Sequence, residues 1–227
     1  MIQITDHLRQ VRDRVKKAAV AAGRAADEIT IVAVSKKHPV TAIEAAYSAG
    51  QRDFGENFVQ EAAPKIESLA LPDLRWHFIG HIQANKTKDI ARLFDWVHTV
   101  DRLKIANRLN EQRPHYAAPL NICIQVNLAE EPQKSGVAAD EVGELVGAVR
   151  NLSRLRLRGL MTMPPVDATA DTIEAVFLEL AGIKRSLVAQ GFELDTLSMG
   201  MSADLEMAVT CGSTMIRIGT AIFGPRR

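Results

Sequence analysis

Ile31 to Val40 read "IVAVSKKHPV", four apolar β-formers running straight into a serine, two lysines, a histidine and a proline. Side chains alternate along a strand, so Lys36 shares a face with Val32 and Val34 while Lys37 points the other way. If the valines face an interior, Lys36 faces it too. Burial disfavours the ammonium, lowers its pKa and frees an amine that can condense with a carbonyl compound to an imine. The competing reading is a solvated lysine pair where a strand reaches the surface.

Two later segments bear on that choice. "SMGMSADLE", Ser198 to Glu206, predicts a glycine turn with Ser202 capping the next helix and Asp204 in its first turn, presenting free backbone N–H groups. "RIGT", Arg217 to Thr220, predicts a second turn, where Gly219 lets the backbone approach a ligand and Thr220 offers an N–H and a hydroxyl. Arg217 shares its strand face with Met215 and is expected to aim at the same place as Lys36. Its alternative role is an internal ion pair with a strand-end acid such as Glu56.

These residues need a scaffold that gathers strand ends. After an amphipathic lead-in helix over residues 1–24, built on Ile4, Leu8, Val11, Val15 and Ala19, short β-type runs alternate with helical stretches. The runs are "ITIVAVSK", "RDFGEN", "LRWHFIG", "DWVHTV", "LNICIQVNL", "LRLRGLMTM", "LDTLSMG" and "TMIRIGTAIFG". Eight such units predict one (β/α)8 TIM-type barrel over residues 29–224, so that the whole chain, 1–227, forms a single domain. The lead-in helix then stands in for the missing final one. An open doubly wound sheet competes, but no G-x-G-x-x-G follows the first strand.

In a barrel, sites form at the carboxyl ends of the strands, and phosphate commonly binds at the loops after strands seven and eight. A lysine on strand one, a phosphate cradle of Ser202, Gly219 and Thr220, and Arg217 between them fit pyridoxal 5′-phosphate: an aldehyde for Lys36, a phosphate for the cradle, a ring nitrogen facing Arg217.

Composition excludes other classes. The 28 basic and 27 acidic residues leave a net charge of +1, which gives no drive toward nucleic acid or anionic lipid. Two cysteines, Cys123 and Cys211, write neither a disulfide framework nor a cysteine metal site. The charged N-terminus and the lack of a long apolar run predict a cytoplasmic protein without a membrane partner. His77 and His81 lie four apart, but "HFIGH" crosses a strand end and a glycine, so a core or rim histidine is expected rather than a metal site.

"AVSKKHP", "FGENFVQE", "WHFIGHIQANK", "LSMGMSADLEMAV" and "GSTMIRIGTAIFG" together resemble the signature segments of the pyridoxal phosphate homeostasis protein family, from about Leu8 to the C-terminus. The resemblance implies a barrel like the alanine racemase N-terminal domain, with pyridoxal phosphate as a Schiff base on Lys36. It also implies a role in buffering or carrying that cofactor, affecting amino-acid and keto-acid balance, without an established reaction. Apo-enzymes that use the cofactor are implied as transient partners. By the same resemblance Asn57 lies beside the ring, Ser202, Gly219 and Thr220 hold the phosphate, and Arg217 meets the ring nitrogen, with Ser198, Met199 and Met201 lining the same turn. One departure is visible: His38 stands where a further lysine is expected, and Lys37 is the neighbour instead. Lys134 matches a family lysine that could act as a secondary acceptor, or it is a solvated loop residue.

The alternative function is a small racemase-type enzyme. Racemisation needs two acid/base groups on opposite faces of the substrate carbon. The tyrosines, Tyr47 and Tyr116, fall in a helix and in a connection rather than at strand ends, and an arginine at the ring nitrogen disfavours its protonation. No catalytic residue is therefore assigned. A monomer is expected, because the second domain of the racemases is missing.

Overall fold

The computed structural model describes residues 2–69, 71–129 and 135–225. Eight strands pair in parallel and in chain order into a closed barrel, β1 also pairing with β8. They are β1 (Thr30–Val34), β2 (Asp53–Glu56), β3 (Arg75–Phe78), β4 (Trp96–Val100), β5 (Leu120–Gln125), β6 (Leu155–Met161), β7 (Thr196–Ser198) and β8 (Met215–Ile218). Around them run α1 (Ile2–Ala21), α2 (Val40–Ser48), α3 (Val59–Ser68), α4 (Thr87–Leu93), α5 (Leu103–Gln112), α6 (Val142–Val149), α7 (Ala170–Ala189), α8 (Leu205–Thr210) and α9 (Thr220–Phe223).

Alternation along the strands divides the core in two. Ala33, Phe54, Phe78, Val97, Ile122 and Ile216 pack outward against the helices, while Val32, Trp96, Cys123, Met161 and Met215 fill the barrel. At β6 and β7 the walls nearly touch: a Cβ on Gly159 would lie 1.8 Å from the Thr196 carbonyl oxygen. Only glycine closes the barrel there.

The predicted lead-in helix is α1. Leu8, Val11, Val15 and Ala19 are buried, and the helix packs against α8, α9 and α2, so it closes the helical ring between the last and first units. Burying Leu8 and Val11 contributes about 1.5–3 kcal/mol each. The eighth run is shorter than its apolar length predicts. The strand stops at Ile218, the chain turns at Gly219, and Thr220–Phe223 make one helical turn whose Phe223 stacks on His38 at 5.1 Å.

Candidate functional site

Lys36 sits half-buried in a turn just beyond β1, closed by the His38 N–H donating to the Ser35 carbonyl at 3.1 Å. Lys37, next in the turn, is exposed and takes a φ of 63°, in the left-handed region that non-glycine residues rarely occupy. A buried clamp holds this turn from below. Glu56 is fully buried and points outward from β2, as Phe54 does, toward α3. There Lys65 Nζ donates to Glu56 Oε1 at 2.8 Å, to Glu61 Oε1 at 2.7 Å and to the Ser35 carbonyl at 3.0 Å. Ser35 Oγ donates to Glu56 Oε1 at 2.7 Å, and Glu61 accepts the Lys37 N–H. Burial raises the Glu56 pKa, against the hydrogen bond from Lys65 that lowers it.

Glu56 is thereby spent on Lys65, so it is not the partner of Arg217. Arg217 lies inside the barrel beside Val32 in the β1–β8 register. Its Nη1 donates to Ser198 Oγ at 2.7 Å and its Nη2 to the Thr162 carbonyl at 3.0 Å. Among the described residues no carboxylate pairs with it. Burial pulls its guanidinium down to about 10, with Asp204 the leading opposing influence.

The two predicted phosphate loops meet. Ser202 Oγ accepts the Ala221 N–H at 3.4 Å, joining the loop after β7 to the start of α9. Ser202 is not the helix cap that its position suggested. α8 begins at Leu205 with Asp204 in the N-cap position, and the Asp204 carboxylate accepts the Met201 N–H instead. Gly200 turns the chain with a φ of 98°. Among the described residues, no acceptor engages the backbone N–H groups of Ser202, Ala203, Gly219 or Thr220. Packing does not demand glycine at 219, where a Cβ would find its nearest neighbour, Val34, at an ordinary 3.6 Å. Unengaged donors in two joined loops suit a phosphate. On the other side, Asn57 Oδ1 is buried and has no hydrogen-bond partner among the described residues. The residues present therefore fit pyridoxal phosphate.

Met199 does not belong to this group. Ser198 faces inward, so Met199 faces outward, fully buried in the helix-side core with its N–H donating to Met215 and its carbonyl accepting from Ser213. Met201 is 40% exposed at the rim. Lys134 lies outside the described residues. His77 and His81 separate, His77 into the barrel and His81 to an exposed contact with Ser135 Oγ. Lys65 and the inward-facing Asp53 and His98 are buried polar residues that no motif in the sequence marks. Strand parity on β2 and β4 could have found the last two, since they alternate with Phe54 and Val97.

His98 is completely buried, and burial, then His77 and Arg217, hold its pKa well below the usual imidazole range. The unfolded chain takes up a proton near pH 6.5 and the folded one does not, so stability is lost as pH falls below that value. The loss from this group runs at up to about 1.4 kcal/mol per pH unit. Denaturant titrations from pH 7.5 to 5.5 are expected to show this slope in the wild type and a flatter one in His98→Gln. Parallel curves would contradict it.

The alanine racemase N-terminal domain family matches residues 7–227 of the chain. The chain is 49% identical over 229 residues to the pyridoxal phosphate homeostasis protein of Escherichia coli, covering 100% of this chain and 98% of that one. Its identity to the pyridoxal phosphate homeostasis protein of Pseudomonas aeruginosa is 50% over 226 residues, covering 100% and 97%. The structure is similar to PipY of Synechococcus elongatus solved with PLP bound, with a TM-score of 0.87 and 37% identity, covering 98% of this chain and 100% of that one.

Proposed function

The chain belongs to the pyridoxal phosphate homeostasis protein family, and on that premise we propose that it binds pyridoxal 5′-phosphate covalently at the barrel mouth and holds it for release rather than for turnover. Its role is in pyridoxal phosphate homeostasis. The observation that carries the binding reading is the convergence of unengaged N–H groups in the joined β7 and β8 loops with the Lys36 turn, linked by the stack of His38 on Phe223.

When bound, the cofactor supplies an aldehyde and an electron-withdrawing ring. Lys36 offers the amine that condenses with the aldehyde and releases water. Ser202, Gly219 and Thr220 hold the phosphate, Asn57 flanks the ring, and Met201 covers the rim. Arg217 faces the ring nitrogen, its permanent charge opposing protonation there. Ser198 supports Arg217.

The same groups argue for a carrier. Tyr47 lies in α2 with its hydroxyl donating to the Pro72 carbonyl, and Tyr116 is 88% exposed in the connection after α5. Neither stands at the mouth to serve as a second acid/base group. We place the protein in the cytoplasm as a monomer that hands its cofactor to apo-enzymes. Among the described residues no helix is long and apolar enough to cross a membrane.

Borohydride reduction of the loaded protein, followed by peptide mapping, tests the attachment. The label is expected on the peptide carrying Lys36 and is expected to vanish in Lys36→Ala. Label solely on Lys37 or Lys134 would sink the assignment.

A further inference from the structure

Binding the cofactor does not account for a row of polar side chains that crosses the barrel interior from Asp53, at the start of β2, to Arg217 on β8. Asp53 is held by Arg75 through Nε–Oδ1 and Nη2–Oδ2 contacts of 2.7 and 2.6 Å. His77 Nε2 lies 3.0 Å from Asp53 Oδ1, and His77 Nδ1 lies 3.0 Å from His98 Nε2. His98 Nδ1 lies 2.7 Å from Ser198 Oγ, which accepts from Arg217 Nη1 at 2.7 Å. His77, His98 and Ser198 are each fully buried. Trp96 stacks on His77 at 5.6 Å, and Val32, Cys123, Met161 and Met215 make the surroundings apolar.

The chemistry of the groups orients every link. An ionised carboxylate only accepts, so His77 Nε2 carries the proton and its Nδ1 accepts. His98 Nε2 must then donate, which leaves His98 Nδ1 as acceptor for the Ser198 hydroxyl. That hydroxyl turns its lone pairs to Arg217. All donors point from Arg217 toward Asp53. The opposite order needs a charged His77 and leaves the Ser198 O–H without an acceptor in a dry interior, which is costly.

We infer that Asp53, His77, His98 and Ser198 are positioning residues forming a one-way hydrogen-bonded relay, through which Asp53 acts as the counter-charge of Arg217 and sets the guanidinium beside the cofactor ring. The part that concerns the ring rests on the binding proposed above. Aligned hydrogen bonds polarise one another in a low dielectric, so the lone pairs at Ser198 strengthen toward the cation while the protons at His77 strengthen toward the anion. Arg217 needs such support, because Asp204, the acid that most attracts it, is engaged with the Met201 N–H. Arg75, half exposed, closes the far end at the opposite rim of the barrel.

Nitrogen-15 NMR of the labelled protein, with and without pyridoxal phosphate, tests the direction. Both buried rings are expected to carry a proton on Nε2 and to leave Nδ1 bare. An Nδ1–H on His98 overturns the relay whether or not the cofactor binds, whereas absence of a cofactor band speaks only against the binding proposal. The coupling is tested by Asp53→Asn in two backgrounds. In the otherwise wild-type loaded protein it is expected to move the pH midpoint of the visible cofactor band by about half a unit and loosen the cofactor several-fold. In His98→Asn, which keeps an acceptor for Ser198 but cuts the link to His77, the same change is expected to do neither. Equal shifts in both backgrounds, or none in either, overturn the coupling. If Asp53→Asn does not fold, the tautomers decide.

Discussion

Lys65→Met is expected to lower the free energy of unfolding by about 3–5 kcal/mol, because it strands a buried charge. Glu56 has no exposure, and its Oε2 has no hydrogen-bond partner among the described residues, so Lys65 is its principal compensation. Glu61 is 27% exposed and can turn to water when the lysine goes; Glu56 cannot. Urea unfolding measures the loss. Adding Glu56→Gln keeps an acceptor for the Ser35 hydroxyl and removes the charge, so the double variant is expected to regain most of the stability. The pH dependence follows from the raised pKa of Glu56. An acid whose folded pKa lies above its unfolded one weakens the fold as pH rises from the unfolded value to the folded one, and both states are protonated below. The deficit of Lys65→Met is therefore expected to shrink toward pH 4. A deficit below about 1 kcal/mol at pH 7 would show that the cluster holds no buried charge.

That clamp marks a boundary of what one sequence makes legible. The inward aim of Arg217 follows from a period of two counted over a few residues, as does the buried face of α1. The same count places Met199 opposite Ser198, although the two share a turn. Ser202 and Asp204 are both good N-cap residues, and local propensity cannot choose between them. The choice falls to tertiary placement, which sets Ser202 against Ala221. Lys65 reads as an ordinary polar residue of a helix. Its burial follows from Glu56 pointing outward from β2 beneath α3, a pairing that no periodicity records. The relay is harder still, since Asp53, His77, His98, Ser198 and Arg217 come from five strands and meet only once the barrel register is set.

The largest effect on the cofactor itself is expected at the phosphate. Ser202→Ala with Thr220→Ala is expected to weaken pyridoxal phosphate binding by at least about 3 kcal/mol, roughly a hundredfold or more, since hydrogen bonds to charged groups contribute about 1.5–3 kcal/mol each. Ser202 Oγ lies within 3.4 Å of the Ala221 N of the neighbouring loop, and Thr220 begins α9, so the two hydroxyls belong to loops that already touch. Removing them leaves the backbone donors in place and removes no core packing, because Ser202 is only half-buried and Thr220 is exposed. The fold should therefore survive, and the thermal midpoint of the ligand-free variant serves as that control. Unphosphorylated pyridoxal supplies the contrast. It keeps the aldehyde for Lys36 and the ring nitrogen for Arg217 but has nothing for the cradle, so its affinity is expected to change by less than about 0.5 kcal/mol. Equilibrium titration of both ligands into both proteins decides the matter. Equal weakening of the two would remove the cradle from these loops and leave Lys36 and Arg217 to be explained without it.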